Sequence, residues 1–296
     1  MSQPTTLPDP DPDADPDHAV PHGRVDLPGS TLVKRHSVVV RVTHWVNVVC
    51  LTALLMSGLQ IFNARPQLDF GHATNFTDPP MAIGAAQKDG QPRGFVRVGS
   101  HTFDTTGVLG LSQLDGRLTQ RAFPAWATLP SYQDLGTGRA IHFVFAWAFV
   151  LNGVVYLLWG LLTGHLRRDF VPTRRQWRNI GREVIDHARL RFPRGEEARR
   201  YNAIQKITYF LVALVILPVL VVAGWTMSPG LDATFPFLVD LFGGRQTARS
   251  VHFILAWALV LFVLVHVALV IVSGLFNNMR SMITGWYNIG REREHV

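Results

Sequence analysis

The chain has almost none of the cysteine on which many cofactor sites depend. Its 296 residues include one cysteine, Cys50, inside an apolar run. One thiol excludes an intrachain disulfide, a cysteine-ligated zinc ion or iron–sulfur cluster, and covalent haem attachment through a C-x-x-C-H motif. Any haem in this protein must therefore be held without a covalent bond to the chain.

Charged side chains are scarce too, at 17% of the residues, and four long stretches contain none. Crossing a hydrocarbon core of about 30 Å takes roughly 20 helical residues, and in lipid a helix satisfies its own backbone hydrogen bonds. We therefore expect an all-α integral membrane protein, a four-helix transmembrane bundle. The charge-free stretches are Val42–Ala64, Ala140–Leu166, Ile207–Leu231 and Ser250–Met279.

The positive charge is concentrated in one loop. Twelve of the 28 basic residues lie between Arg167 and Lys206, which explains the net charge of +7 without nucleic-acid binding. Lysine and arginine mark the cytoplasmic side of a membrane protein, so both termini and this loop are predicted to be cytoplasmic.

These patterns give the expected segments. The tails, 1–33 and 286–296, flank a transmembrane domain at 34–285, and the acidic, proline-rich first tail is predicted to be disordered. The spanning helices are expected at about 38–63, 139–166, 204–228 and 248–276, with an extracytoplasmic loop at 64–138 and a cytoplasmic loop at 167–203.

An internal repeat relates the helices. IHFVFAWAFVL in the second apolar run matches VHFILAWALVL in the fourth, which aligns His142 with His252, and VTHW in the first weakly resembles ITYF in the third. The bundle is therefore predicted to be a duplicated helical hairpin, with a unit of about 110 residues. The copies differ where Tyr156 and Tyr209 take the places of His266 and His44.

Five histidines lie within the apolar runs, and four of them lie at depths that match in pairs. At 1.5 Å per residue, His142 and His252 lie about one turn inside the outer boundary, whereas His44 and His266 lie about 28 and 25 Å below it. Unpartnered imidazoles are costly in lipid, and two level pairs suit bis-histidine ligation of two haem irons. The predicted pairs are His44 with His266, and His142 with His252. The alternatives are hydrogen bonds to neighbouring helices, and His36 in place of His44.

These motifs resemble a known family. RVTHW in the first helix, a histidine opening the second and H-x13-H in the fourth are similar to the di-haem b-type cytochrome (cytochrome b561-like) subunits of formate dehydrogenase, nickel–iron hydrogenase and thiosulfate reductase. The resemblance covers about Lys34 to Gly285. It implies two haem b groups on the same two histidine pairs, and four helices fit the formate dehydrogenase and thiosulfate reductase types best.

The resemblance also implies a function. Electrons would cross the membrane between the quinone pool and a periplasmic redox subunit, expected to be a molybdopterin oxidoreductase. A free-standing haem reductase and, less favoured, a channel or transporter are the alternatives. Quinone chemistry requires groups that exchange protons, and the candidates at the inner side are His165, Asn47 and Trp45, which could equally be interfacial anchors. Candidate partners of haem propionates are Arg139, Arg249, Arg245, Arg41 and Lys206, all of which could instead only set topology.

The long outer loop and one proline add local predictions. Glycine, proline and aromatic residues in the loop predict short β-structure, including a hairpin in which Gly99 and Ser100 join FVRV to HTFD. This loop is expected to dock the redox partner, the alternative being a lid that only shields the outer haem. Pro218 is expected to kink the third helix.

Overall fold

The computed structural model describes residues 23–28, 30–173, 176–178, 180–181, 184–185, 189 and 203–289. Most of the predicted first tail and of the loop at 167–203 lies outside these residues. Four helices are long and apolar enough to cross a membrane, which confirms the prediction of a helical membrane protein. They are Val38–Asn63, Leu135–Leu162, Ala203–Trp225 and Arg245–Val272.

The first two spanning helices begin at polar caps. Ser37 caps α1 (Val38–Asn63) and accepts a hydrogen bond from the Val40 amide at 3.2 Å. Asp134 caps α2 (Leu135–Leu162), and hydrogen bonds with Thr137 hold the pKa of its carboxyl below the usual range. Such caps satisfy amides that no helical carbonyl reaches. Helix α2 therefore begins four residues before the predicted boundary at 139.

A short break follows α2. Gly164 adopts a left-handed conformation, with φ 68°, that few other residues tolerate. The chain then forms a six-residue helix, α3 (His165–Phe170), so α2 does not continue to residue 166 as predicted.

The third spanning helix has three parts. Helix α4 (Ala203–Leu211) leads into a π-helical turn at Val212–Ile216, which is followed by α5 (Leu217–Trp225). Pro218 has no N–H to donate, so regular α-helical bonding is interrupted at this point in any case. The distortion expected at Pro218 thus appears as a π-turn just before it.

The remaining helices complete the bundle. Two short helices, α6 (Pro229–Thr234) and α7 (Phe237–Leu241), lead to α8 (Arg245–Val272). Gly274, at φ 112°, ends α8 and precedes α9 (Leu275–Thr284), so this helix also stops short of the predicted residue 276. The closely packed helix pairs are α1 with α2 and α5 with α8.

Strands at both ends of the bundle depart from the all-α class, although short β-structure was predicted in the outer loop. At the end that we call the cap end, β5 (Gln91–Val98) and β6 (His101–Asp104) pair with Val98 opposite His101, which confirms the predicted hairpin. The other cap strands are β3 (Gln67–Leu68), β4 (Met81–Lys88), β7 (Gly110–Leu114) and β8 (Arg117–Arg121); β3 to β6 form one antiparallel sheet and β7 with β8 another.

The cap is fastened to α8. The Gln246 amide donates to the Gly71 carbonyl at 3.0 Å, the Thr247 hydroxyl accepts from the Gly71 amide at 2.8 Å, and the Ser250 hydroxyl donates to the Asp69 carbonyl at 2.6 Å. A loop far away in sequence therefore covers the first turns of α8.

The opposite end, which we call the terminal end, carries a second departure. There β1 (Arg24–Leu27) and β2 (Ser30–Lys34), within the tail that was expected to be disordered, form an antiparallel sheet with β9 (Trp286–Asn288). Leu32 pairs with Asn288 and Lys34 with Trp286. These strands form because β2 finds its partner β9 more than 250 residues away, a contact that local composition does not reveal.

Candidate functional site

Two of the predicted histidines meet near the cap end. The ring centroids of His142 on α2 and His252 on α8 lie 6.3 Å apart, with 62° between the ring planes. Both lie in the first part of their helices, and both helices begin at the cap end. This pair joins one helix hairpin to the other across the seam between them.

Hydrogen bonds fix the orientation of both rings. Nδ1 of His252 lies 2.8 Å from the Leu220 carbonyl oxygen, and Nδ1 of His142 lies 3.0 Å from the Ser57 hydroxyl. The His142 ring also bonds the Leu54 backbone. The Ser57 hydroxyl donates to the Ala53 carbonyl at 2.6 Å, so it accepts from the imidazole. Each Nδ1 therefore carries the proton, which leaves Nε2 bare, as a metal ligand must be.

A glycine lies beside each ring of this pair. A Cβ added to Gly58 on α1 would lie 3.4 Å from Cε1 of His142, and one added to Gly224 on α5 would lie 3.3 Å from Cε1 of His252. Both positions are already in contact range, so a larger side chain would push the imidazole away.

The other two predicted histidines meet near the terminal end. The centroids of His44 on α1 and His266 on α8 lie 6.5 Å apart, with 64° between the planes. Phe262 stacks on the His266 ring at 5.9 Å, and Trp45 lies edge-on to His44 at 5.5 Å. Helix α8 therefore contributes one histidine to each pair.

The spacing in both pairs fits a shared metal. Metal–imidazole bonds of about 2.0–2.1 Å, with each ring centroid about 1.2 Å behind its nitrogen, place two facing centroids about 6.4 Å apart. The observed spacings of 6.3 and 6.5 Å agree with this value. An edge-on ring contact has a similar spacing, so the bare Nε2 atoms are what favours a ligand role in the first pair. Among the described residues, no three histidine, cysteine or acidic side chains form a metal site by themselves.

Two arginines near the cap end have buried guanidinium nitrogens without acceptors among the described residues. Arg249 lies over the Phe62 ring and donates to the Arg65 carbonyl oxygen. Nη1 of Arg249 and both Nε and Nη2 of Arg65 are buried with no hydrogen-bond partner among the described residues. Buried guanidinium nitrogens require an anion, and a haem propionate has the matching carboxylate. Sequence reasoning missed Arg65, although its position just after the first apolar run was a usable signal.

The other basic candidates are less suited to that role. Arg139 is exposed, with its guanidinium 5.8 Å from the Phe143 ring centre, and Arg245 donates to the Met227 carbonyl at 2.8 Å. At the terminal end, Arg41 donates to the Ile283 carbonyl, and its buried Nε has no partner in the part of the chain that the structure describes, whereas Lys206 donates to the Val171 carbonyl at 3.4 Å.

His36, the alternative to His44, lies at the terminal end. Burial, together with the charge of Arg35, lowers the pKa of His36 to about 4, so the ring is neutral at physiological pH. It is near enough to His44 to interact electrostatically, but the ring that faces His266 is that of His44.

The three candidates for proton exchange lie in different surroundings. Asn47 accepts a hydrogen bond from the Asn152 amide at 2.8 Å, and the Trp45 indole donates to the Met282 carbonyl at 3.2 Å. His165 instead pairs with Asp169, with Nδ1 2.6 Å from Oδ2. Of these three candidates, His165 is the one that pairs with a second titratable side chain.

A family model described as prokaryotic cytochrome b561 matches residues 35–285. The chain belongs to this family. Membership means that this cytochrome is a membrane protein that binds b-type haem and transfers electrons. Its four apolar helices agree with that assignment. The match begins and ends within one residue of the predicted transmembrane domain, 34–285.

One curated relative extends the comparison. The cytochrome is 29% identical over 230 residues to the putative protein-methionine-sulfoxide reductase subunit YedZ1 of Azospira oryzae. The alignment covers 78% of this chain and 86% of the relative. No solved structure matches.

Proposed function

We propose that this cytochrome is the membrane subunit of an oxidoreductase and carries electrons between the quinone pool and a periplasmic partner. The observation that carries the proposal is the pair of imidazoles at each end of α8, spaced for a shared metal at 6.3 and 6.5 Å. Bis-histidine ligation leaves no open iron position, which suits electron transfer rather than oxygen chemistry.

Each histidine pair would hold one haem b. His142 with His252 would ligate the haem at the cap end, and His44 with His266 the haem at the terminal end. When bound, the haems act as one-electron carriers on the two sides of the membrane. The protein holds the imidazoles at the required spacing and hydrogen-bonds Nδ1 of the cap-end pair, which fixes both rings and makes Nε2 more basic.

The propionates of the cap-end haem would lie against Arg65 and Arg249. Their unpartnered guanidinium nitrogens and their adjacency support this assignment. Two cations beside a haem favour the reduced state, because the added electron is partly neutralised there. Arg139 remains a candidate at the rim of the same site.

The partner is proposed on the cap side, with that side in the periplasm of a bacterial inner membrane. The positive-inside distribution of lysine and arginine supports this orientation, with both termini in the cytoplasm. The name of the Azospira relative, a subunit of a putative protein-methionine-sulfoxide reductase, favours a reductase as partner and electron flow from quinol outward. A molybdopterin enzyme is the class expected from the resemblance.

We also infer that the bundle is a duplicated hairpin. The second and fourth spanning helices align with an offset of 110 residues, so that His142 and Gly164 correspond to His252 and Gly274. The contacts of the two rings support this alignment. His142 bonds Leu54 and lies beside Gly58, whereas His252 bonds Leu220 and lies beside Gly224, and both partners differ by 166 residues.

The test is a haem count with single-histidine variants. Purified wild-type protein should contain two haem b per chain by pyridine haemochrome. H266A and H44A should each remove the same haem, and H252A and H142A the other, as judged by redox titration of the remaining centre. Retention of both haems in H266A would contradict the ligand assignment. Purification from native membranes should bring the redox subunit with it; purification alone with full activity would favour a free-standing haem reductase.

A further inference from the structure

The duplication leaves a second position at the terminal end without histidines. Tyr156 and Tyr209 occupy the places that correspond to His266 and His44. In the structure, Tyr209 and Asp169 both lie within electrostatic range of the Tyr156 hydroxyl. The counterpart of the terminal-end haem pair is therefore a polar cluster rather than a second ligand pair.

The cluster includes His165 and Asp169, which the break at Gly164 turns back toward the bundle. Leu166 packs on Gly160, where an added Cβ would lie 2.8 Å from Leu166 Cγ, so α3 folds back closely on α2. The side chains of His165 and Asp169 are only 13% and 22% exposed. His165 is thus not the interfacial anchor that a helix-end histidine usually is.

Aromatic side chains surround the His165 ring. Trp159, Tyr156 and Phe170 surround it, with ring centroids 4.8, 6.1 and 6.4 Å away. The carboxylate of Asp169 holds Nδ1–H at 2.6 Å, which leaves Nε2 as the proton acceptor. An imidazole oriented by a carboxylate is a common arrangement for a general base.

The repeat indicates that the pair is not required for folding. The corresponding residues after Gly274 are Leu275 and Met279 at the start of α9, where no imidazole or carboxylate is present. The same turn and short helix therefore form with apolar residues at both positions. A polar pair at one copy alone points to a role specific to that copy.

We propose that His165 and Asp169 form the proton-accepting part of a hydroquinone-binding site in this cluster. The proposal rests on the proposed quinone function. The hydroquinone O–H bond breaks as its proton forms an N–H bond at Nε2 of His165. Nδ1–H of His165 keeps its proton and its hydrogen bond to Asp169. The second proton follows once the first has left to cytoplasmic water. The two electrons would pass one at a time to the haems that the histidine pairs would hold, and the two C–O bonds of the hydroquinone would become the C=O bonds of the quinone.

Several charged or titratable groups face this pair. Tyr156 on α2 and His36 before α1 both interact electrostatically with Asp169. Around them, Tyr209 on α4 interacts with Tyr156, Arg35 interacts with Tyr209 and His36, and Lys206 on α4 donates to the Val171 carbonyl just after α3. His36 is within electrostatic range of Asp169 and also of the proposed ligand His44. The proton acceptor is thus close to the haem site that would receive the electrons.

The experiment measures haem reduction by menadiol, a small hydroquinone, in membranes containing the full chain. The D169N and H165L variants should slow reduction at pH 7 by about 100-fold, since general bases contribute roughly 10²–10⁴-fold. The deficit should shrink to less than about 10-fold at pH 9, because ionised hydroquinone no longer needs a base. The dithionite-reduced spectrum should be unchanged. H101L, which alters an exposed histidine in the cap, is the matched control and should match the wild type.

The outcomes separate the two proposals. If menadiol fails to reduce dithionite-reducible haem in the wild type, the quinone function itself is wrong. If the wild type is reduced and both variants react equally fast, the function stands and the assignment of His165 and Asp169 is overturned. Haem loss in both variants, or a deficit that does not change with pH, would make the pair structural and would overturn it as well.

Discussion

Substituting the glycine beside a cap-end histidine tests whether the imidazole is held in place for a metal. A Cβ at Gly58 would already lie 3.4 Å from Cε1 of His142. A valine methyl extends about 1.5 Å further, to about 2 Å from the ring if it points that way, against an optimal carbon–carbon contact of about 3.5–4.0 Å. The ring must then move by more than about 1 Å, which overpacking data put at about 1–3 kcal/mol and which a metal–nitrogen bond of about 2.0 Å does not survive.

We therefore expect G58V to lose one haem of two, with the remaining centre titrating as in H142A. The measurements are haem per chain and a potentiometric titration of the α-band. G224V should lose the same haem, because Gly224 lies beside the other ring of that pair at 3.3 Å. G58A should keep both haems, since its Cβ needs only a few tenths of an ångström. G153V is the matched control, because a Cβ on Gly153 meets nothing within 4 Å. Two haems with wild-type potentials in both G58V and G224V would refute the reasoning.

Three further predictions concern residues outside the ligand pairs. R65Q and R249Q should each lower the midpoint potential of the cap-end haem by tens of mV, on the order of 60 mV per tenfold change in a one-electron equilibrium, and R93Q, at an exposed arginine of β5, should not. R121M should make the cap sensitive to limited proteolysis while both haems remain, since Arg121 is 2% exposed and donates to two carbonyls and the Thr128 hydroxyl. The fold lowers the pKa of His36 to about 4, so the unfolded state binds this proton first and the free energy of unfolding falls as pH drops from about 6.5 to 4. H36F should therefore reduce the acid-induced loss of the terminal-end haem, followed by absorbance. Equal acid sensitivity in H36F and the wild type would contradict this.

The spanning helices and the histidine depths could be predicted because both follow from local sequence. Hydrophobic length fixes a span, and a rise of 1.5 Å per residue fixes depth along it. By this rule His44 and His266 are level, and in the structure their rings meet. The ends of the helices were less accurate. Gly164 and Gly274 end α2 and α8 by backbone conformation, and neither interrupts the apolar pattern.

The cap and the terminal-end sheet could not be predicted in detail because their contacts are distant in sequence. The hairpin of β5 and β6 was predictable, since its two-residue turn is local. The contact of Gly110 with Gly84, where an added Cβ would lie 2.0 Å from the carbonyl oxygen, is set by sheet packing and leaves no periodic signal. The pairing of β2 with β9 joins the two chain ends in the same way.

The π-turn explains why the repeat was faint between the first and third helices. VTHW and ITYF align with an offset of 165 residues, which relates His44 to Tyr209. The glycines beside the two cap-end rings, Gly58 and Gly224, are 166 residues apart. One extra residue therefore lies between these points in the third helix, and a π-turn is how a helix absorbs one. Because an inserted residue would otherwise rotate everything before it by about 100°, the turn keeps Gly224 against His252 while Tyr209 stays in the cluster at the terminal end. Deleting one residue of Val212–Ile216 should thus spare the cap-end haem and disturb the reaction with menadiol. Loss of the cap-end haem in that deletion would show that the two halves of the third helix are not independent.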